Sequence, residues 1–152
     1  MATSVSRDPM IRHGKVRWLC DPPHGVARLR VESDAFTALP MSVPNGKPHE
    51  GETTPGELLA AAYSAFMATD LAERLERNGV PARELVIDAW CRMSAGGSPR
   101  SVLDFEVKVL GHVPGIDEER FRSVTGVALN CCHKSLGMRR DLRAKLHVSL
   151  EP

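Results

Sequence analysis

Apolar residues along the chain recur with two different periods, and the period separates strands from helices. From Lys15 to Cys20 they alternate, with Val16, Trp18 and Cys20 on one face, and from Val26 to Glu32 with Ala27, Leu29 and Val31 inward. Asp21-Pro22-Pro23-His24-Gly25 between them is turn chemistry, so 15–32 is expected to form a β-hairpin. Ala35 to Val43 adds a third strand, interrupted by Pro40, and 44–48 forms a loop. Leu85 to Met93 and Val102 to Leu110 alternate again. One face carries Leu85, Ile87, Ala89, Cys91 and Met93, the other strand's Leu103, Phe105, Val107 and Val109. With the turn at 95–99 they form a half-solvated antiparallel hairpin, and Leu146, Val148 and Leu150 mark a last strand.

Two stretches carry the helical period. Thr53 to Gly79 has Thr54 placed as N-cap, Pro55 at the first helical position and Glu57 to complete a capping box. Asn78-Gly79 offers a left-handed exit. From Leu58 to Leu71 this helix is apolar or small on nearly every side, which suits a buried central helix or an oligomer interface. Asp117 to Leu136 is the second helix, with Phe121, Val124, Val127, Ala128, Cys131 and Cys132 at helical spacing and Gly137 as its exit. The predicted order is β-β-β-α-β-β-α-β, an α+β design in which antiparallel sheets cover two long central helices.

Composition narrows the function classes. The 152 residues suit one domain over 11–152 preceded by a flexible stretch at 1–10. Twenty basic residues face 19 acidic ones, which offers no electrostatic footprint for nucleic acid or an anionic membrane. The absence of an apolar leader and of a membrane-length apolar run makes a cytoplasmic setting the expectation. Cys20, Cys91, Cys131 and Cys132 are not spaced as a disulfide framework and are read as buried hydrophobes or reactive thiols.

The run Thr54-Pro55-Gly56-Glu57-Leu58-Leu59-Ala60-Ala61-Ala62-Tyr63-Ser64-Ala65-Phe66 resembles the helix motif of the osmotically inducible and organic hydroperoxide resistance superfamily, OsmC/Ohr. Cys132-His133-Lys134-Ser135 resembles its second motif, and Arg12-His13-Gly14 the segment that supplies its arginine. The resemblance implies an intertwined homodimer with the long helices at its centre and active sites at the subunit interface. In active members a cysteine of the first helix attacks a hydroperoxide, an arginine oriented by a glutamate activates it, and a second cysteine resolves the product as a disulfide. By the same resemblance the attacking cysteine falls on Phe66 and the orienting glutamate on Gly56. Only Cys132 and Arg12 remain as candidate catalytic residues, so the two-cysteine cycle cannot run as in the family. No cofactor is implied.

Three readings follow. The chain is a relative of thiol-dependent hydroperoxide reductases without their normal activity, with Phe66 packed on Cys132 and a pocket of Glu57, Tyr63, Phe66 and Asp70 open to a small hydrophobic ligand. Alternatively, Cys132 serves as a one-cysteine peroxidase for organic hydroperoxides with Arg12 as activator, or the chain is a non-catalytic dimer. Cys132 also suits a small buried hydrophobe on the helix–helix seam. A vicinal disulfide with Cys131 is disfavoured by geometry, and a zinc site at Cys131, Cys132 and His133 lacks a second ligand pair. Tyr63 and Phe66 are expected to share a face. Asp70 either reaches solvent or is paired by Arg12 or an arginine of 139–143. The remaining histidines, His13, His24, His49, His112 and His147, are read as solvated, as is the charged turn at 139–143.

Overall fold

The strands of the chain form two separate three-stranded sheets, seen here in a computed structural model that describes residues 11–19, 26–42, 50–94 and 101–152. The expectations for 1–10, Cys20, the turn at 21–25, the loop at 44–48, His49 and the turn at 95–99 lie outside the described residues. The described residues fall into two compact units, divided between Thr54 and Pro55.

The first unit holds β1 (Gly14–Leu19), β2 (Val26–Val31) and β3 (Leu39–Met41), paired antiparallel in that order. The hairpin register sets Val16 against Leu29 and Trp18 against Ala27, as alternation predicts. The third strand is shorter than expected, and Pro40 sits inside it rather than breaking it. β3 is the edge strand, where a residue without an N–H costs no ladder bond. Its carbonyl still accepts from the Thr53 amide at 2.9 Å.

The second unit holds α1 (Pro55–Arg77), β4 (Glu84–Met93), β5 (Val102–His112), α2 (Glu118–Ser135) and β6 (Arg143–Glu151). Both helices end as their glycines foretell. Gly79 and Gly137 take φ of 74° and 62°. After α2 the Met138 amide bonds the His133 carbonyl and the Gly137 amide that of Lys134, which closes a Schellman motif. Asp117 lies just outside α2 as its N-cap, its carboxylate accepting from the Arg120 amide at 2.8 Å.

Two details of this sheet depart from expectation. β4 and β5 are antiparallel, but β5 and β6 are parallel, so the expectation of antiparallel sheets is corrected for that pair. A strand that returns through a helix re-enters the sheet in the same direction, and α2 is that crossover. Leu103 was expected on the inner face with Phe105, yet it is exposed. Arg92 pairs with Asp104 while Met93 pairs with Val102, so Leu103 is the extra residue of a β-bulge and turns outward.

The core lies within this unit. It gathers Tyr63, Met67, Leu71 and Leu75 of α1, Phe105, Val107 and Val109 of β5, Phe121, Ala128 and Cys132 of α2, and Val148 of β6. Within the single chain α1 is therefore buried along one stripe of every fourth residue, Tyr63, Met67, Leu71 and Leu75. Ala61, Ala65, Phe66 and Thr69 on its other faces are exposed in the single chain. Among the described residues no helix is long and apolar enough to cross a membrane.

Candidate functional site

The seam between α1 and α2 brings together most of the residues that the sequence singles out. Tyr63 is fully buried on it, its ring stacked on Phe105 with centroids 4.5 Å apart and met edge-on by His133 at 5.5 Å. Cys132 is 1% exposed, and its thiol donates to the Tyr63 carbonyl at 3.6 Å. Burial, with the negative charge of Asp70 adding to it, pushes the Cys132 thiol up to about 11. At neutral pH it is therefore a protonated thiol, a poor nucleophile beside an acceptor oxygen. That is the behaviour of a buried small hydrophobe on the seam.

The polar atoms around Cys132 are incompletely paired. The Tyr63 hydroxyl and His133 Nε2 are buried without a hydrogen-bond partner among the described residues. Burial raises the Tyr63 phenol, helped by Cys132, and lowers the His133 imidazole. Tyr63→Phe keeps the stacked ring and deletes an unpaired hydroxyl. Its expected effect on unfolding free energy lies between none and a gain of about 1 kcal/mol. A loss larger than that in urea denaturation would show the hydroxyl to be bonded.

Phe66 stands one turn after Tyr63 but does not share its face. Tyr63 belongs to the buried stripe, whereas the Phe66 ring is 47% exposed. Helical residues three apart sit about 60° from each other around the axis, which here carries one inward and the other to the flank. The group facing the Cys132 thiol is the Tyr63 backbone. Gly56 and Glu57 lie in the first turn of α1, Glu57 exposed. Arg12 is an exposed residue before β1, in the first unit, with Nη1 donating to the Ile11 carbonyl at 3.0 Å.

A second cluster sits farther along the same seam, and here the sequence reading missed the main residue. Asp70 is partnered by Arg74, one turn on, whose Nε donates to Oδ2 at 2.5 Å and Nη2 to Oδ1 at 3.2 Å. Arg74 Nη2 also donates to Cys131 Sγ at 2.9 Å, across to α2. The bidentate bond to Asp70 raises Arg74 above the usual arginine range. The i,i+4 spacing of Asp70 and Arg74 was visible as a helical ion pair. The reach of Arg74 to Cys131 was not, because it depends on the register between helices. Cys131 and Cys132 are both free and turn to different partners on α1. Arg139 pairs with Asp141 at 3.3 Å, both largely exposed, as expected for a solvated turn. Among the described residues no three His, Cys, Asp or Glu side chains are grouped to hold a metal ion.

No family model matches the chain, and no curated protein matches it. Solved structures do. An organic hydroperoxide resistance protein from Elizabethkingia anophelis, solved with crystallant-derived thiocyanate bound, superposes with a TM-score of 0.71 at 17% identity, covering 96% of this chain and 100% of that one. An organic hydroperoxide resistance protein OsmC from Legionella pneumophila gives 0.67 at 18% identity, over 94% and 99%. The fold is that of the OsmC/Ohr proteins. The element order β-β-β-α-β-β-α-β and the seam of two long helices are thus an OsmC/Ohr arrangement. A third OsmC/Ohr structure, a putative organic hydroperoxide resistance protein from Vibrio cholerae with captopril bound in one of its active sites, superposes at 0.63 with 17% identity, over 94% and 95%.

Proposed function

We propose that this chain is an OsmC/Ohr-type homodimer, related to the thiol-dependent hydroperoxide reductases, that does not run their two-cysteine cycle. The observation that carries this reading is the state of Cys132, the thiol matching the resolving position. It is sealed from solvent, hydrogen-bonded to a backbone carbonyl and raised to about 11. The position matching the attacking thiol is Phe66, which has no redox chemistry of this kind. The same burial weighs against a one-cysteine peroxidase built on Cys132 and Arg12. The half-exposed Phe66 ring favours a site for a small hydrophobic ligand on that face of α1, apart from the buried Tyr63 and the paired Asp70, and capture of a small molecule in an active site by the Vibrio cholerae protein supports that use of the fold. A cytoplasmic place in oxidative-stress defence belongs to the same proposal.

The test is chemical. Under an organic hydroperoxide, Cys132 is expected to stay a thiol in peptide mass spectrometry, with no disulfide formed within the chain. Rapid, saturable oxidation at Cys132 would overturn the proposal. Phe66→Cys supplies the missing sulfur, and under peroxide it is expected to form a disulfide with Cys132. Turnover should stay low, because Gly56 has no carboxylate with which to orient an arginine. Failure of the two sulfurs to crosslink would reject the correspondence of Phe66 with the attacking position.

A further inference from the structure

The side chains of Asp70, Arg74 and Cys131 form a charged, sulfur-containing cluster in which neither the family resemblance nor the proposal above gives Arg74 or Cys131 a role. Arg74 is fixed in a bidentate bond by Asp70 and still directs an N–H at Cys131 Sγ, 2.9 Å away. Arg74 and Asp70 keep only 25% and 27% of their side-chain surface exposed, so the pair is shielded well beyond a surface salt bridge. Cys131 itself is intermediate in burial, in contrast to the buried Cys132 beside it. Cys91, also intermediate in burial, has Asp104 and not a cation as its charged influence, and burial pushes its thiol up.

We propose that Cys131, held by Arg74 and Asp70, is the reactive thiol of this chain and is oxidised by hydroperoxides to a sulfenic acid. Cleavage of a peroxide O–O bond by sulfur needs a nucleophilic sulfur and a cation that stabilises charge on the departing oxygen. Cys131 supplies the first and the planar Arg74 fork the second, while Asp70 acts as the positioning residue for Arg74. In the step, sulfur attacks the terminal peroxide oxygen. An S–O bond forms as the O–O bond breaks, sulfur loses two electrons, and the peroxide leaves as the alcohol with the thiol's proton. A small thiol then attacks the sulfenic sulfur and expels water, giving a mixed disulfide. A second small thiol releases Cys131 and carries away the disulfide. The peroxide class follows from the proposed function, but the site is different.

The two ideas separate in one experiment on the full chain. The protein is treated with tert-butyl hydroperoxide, sulfenic acid is trapped with dimedone, and fragment ions that distinguish residue 131 from 132 locate the adduct. Labelling is expected at Cys131 well ahead of Cys91 and Cys132. Arg74→Met, and the charge-conserving Arg74→Lys, are each expected to lower the Cys131 labelling rate about tenfold, the loss of one charge-assisted bond. Asp70→Asn should lower it less, with thermal melts reporting that each variant is folded. Equal labelling of all three thiols, or Cys131 labelling indifferent to both Arg74 variants, would overturn the inference. Oxidation of Cys132 in place of Cys131 would overturn the proposed function as well, whereas an unlabelled chain would sink only the Cys131 site.

Discussion

Gly111→Ala is expected to destabilise the chain by about 3 kcal/mol, the cost of forcing a methyl group into a filled core. Gly111 lies in β5 between Leu85 of β4 and Leu150 of β6. A Cβ added there would stand 2.3 Å from Cζ of Phe121 and 2.9 Å from both Cε atoms. Phe121 is fully buried in the first turns of α2, so its ring has no solvent side into which to swing. Restricting the unfolded chain by replacing glycine would return only about 0.4–1 kcal/mol, so the clash decides the sign. The check is the midpoint of urea denaturation, read with its slope to confirm that cooperativity is kept. Phe121→Leu frees space at the same point. The double variant is therefore expected to be more stable than the sum of the single losses, because the two sites touch. Strict additivity would show that α2 is not seated on Gly111.

Alkaline pH is expected to weaken the fold through Cys132. The folded-state value of about 11 lies above the ordinary 9.0, so between these the folded chain holds a proton that the unfolded chain releases. Stability from this group is therefore complete below about pH 9 and falls as pH rises toward 11, by about 2–3 kcal/mol for a shift of two units. Ionisation would also place a thiolate against the Tyr63 carbonyl, to which the thiol now donates. Urea midpoints measured at intervals from pH 7 to pH 11 should show this decline. Cys132→Ala should flatten part of it, leaving a remainder from Cys91 and Tyr63, which are raised in the same direction. An unchanged slope in Cys132→Ala would mean that the thiol is solvated in the native state.

How much of this was legible without coordinates depends on the range of the interaction concerned. Strand and helix identity, the inner face of β4, and the glycine exits of both helices come from local periodicity and backbone sterics. Each is written in adjacent residues, and each could be read directly. The α+β class and the likeness of the two helix motifs to OsmC/Ohr were accessible in the same way. The bulge at Leu103 was hidden, since alternation continues through it in the sequence and only the pairing of Met93 with Val102 reveals the slip. The parallel β5–β6 pair was likewise invisible, because hydrophobic alternation is the same for either strand direction.

The candidate site shows the boundary most sharply. The sequence by itself determined that Phe66 and Gly56 depart from the motif they resemble and that two adjacent cysteines lie on one helical turn. Tertiary structure alone decided what those cysteines meet: Cys132 the Tyr63 carbonyl in a buried seam, Cys131 the guanidinium of Arg74. It also decided that Phe66 is exposed while Tyr63 is buried. Side-chain type and spacing specify a helix face to within a turn. The chemistry of a thiol depends on ångström-scale distances to charges on another helix, and those follow from how the two helices settle against β5.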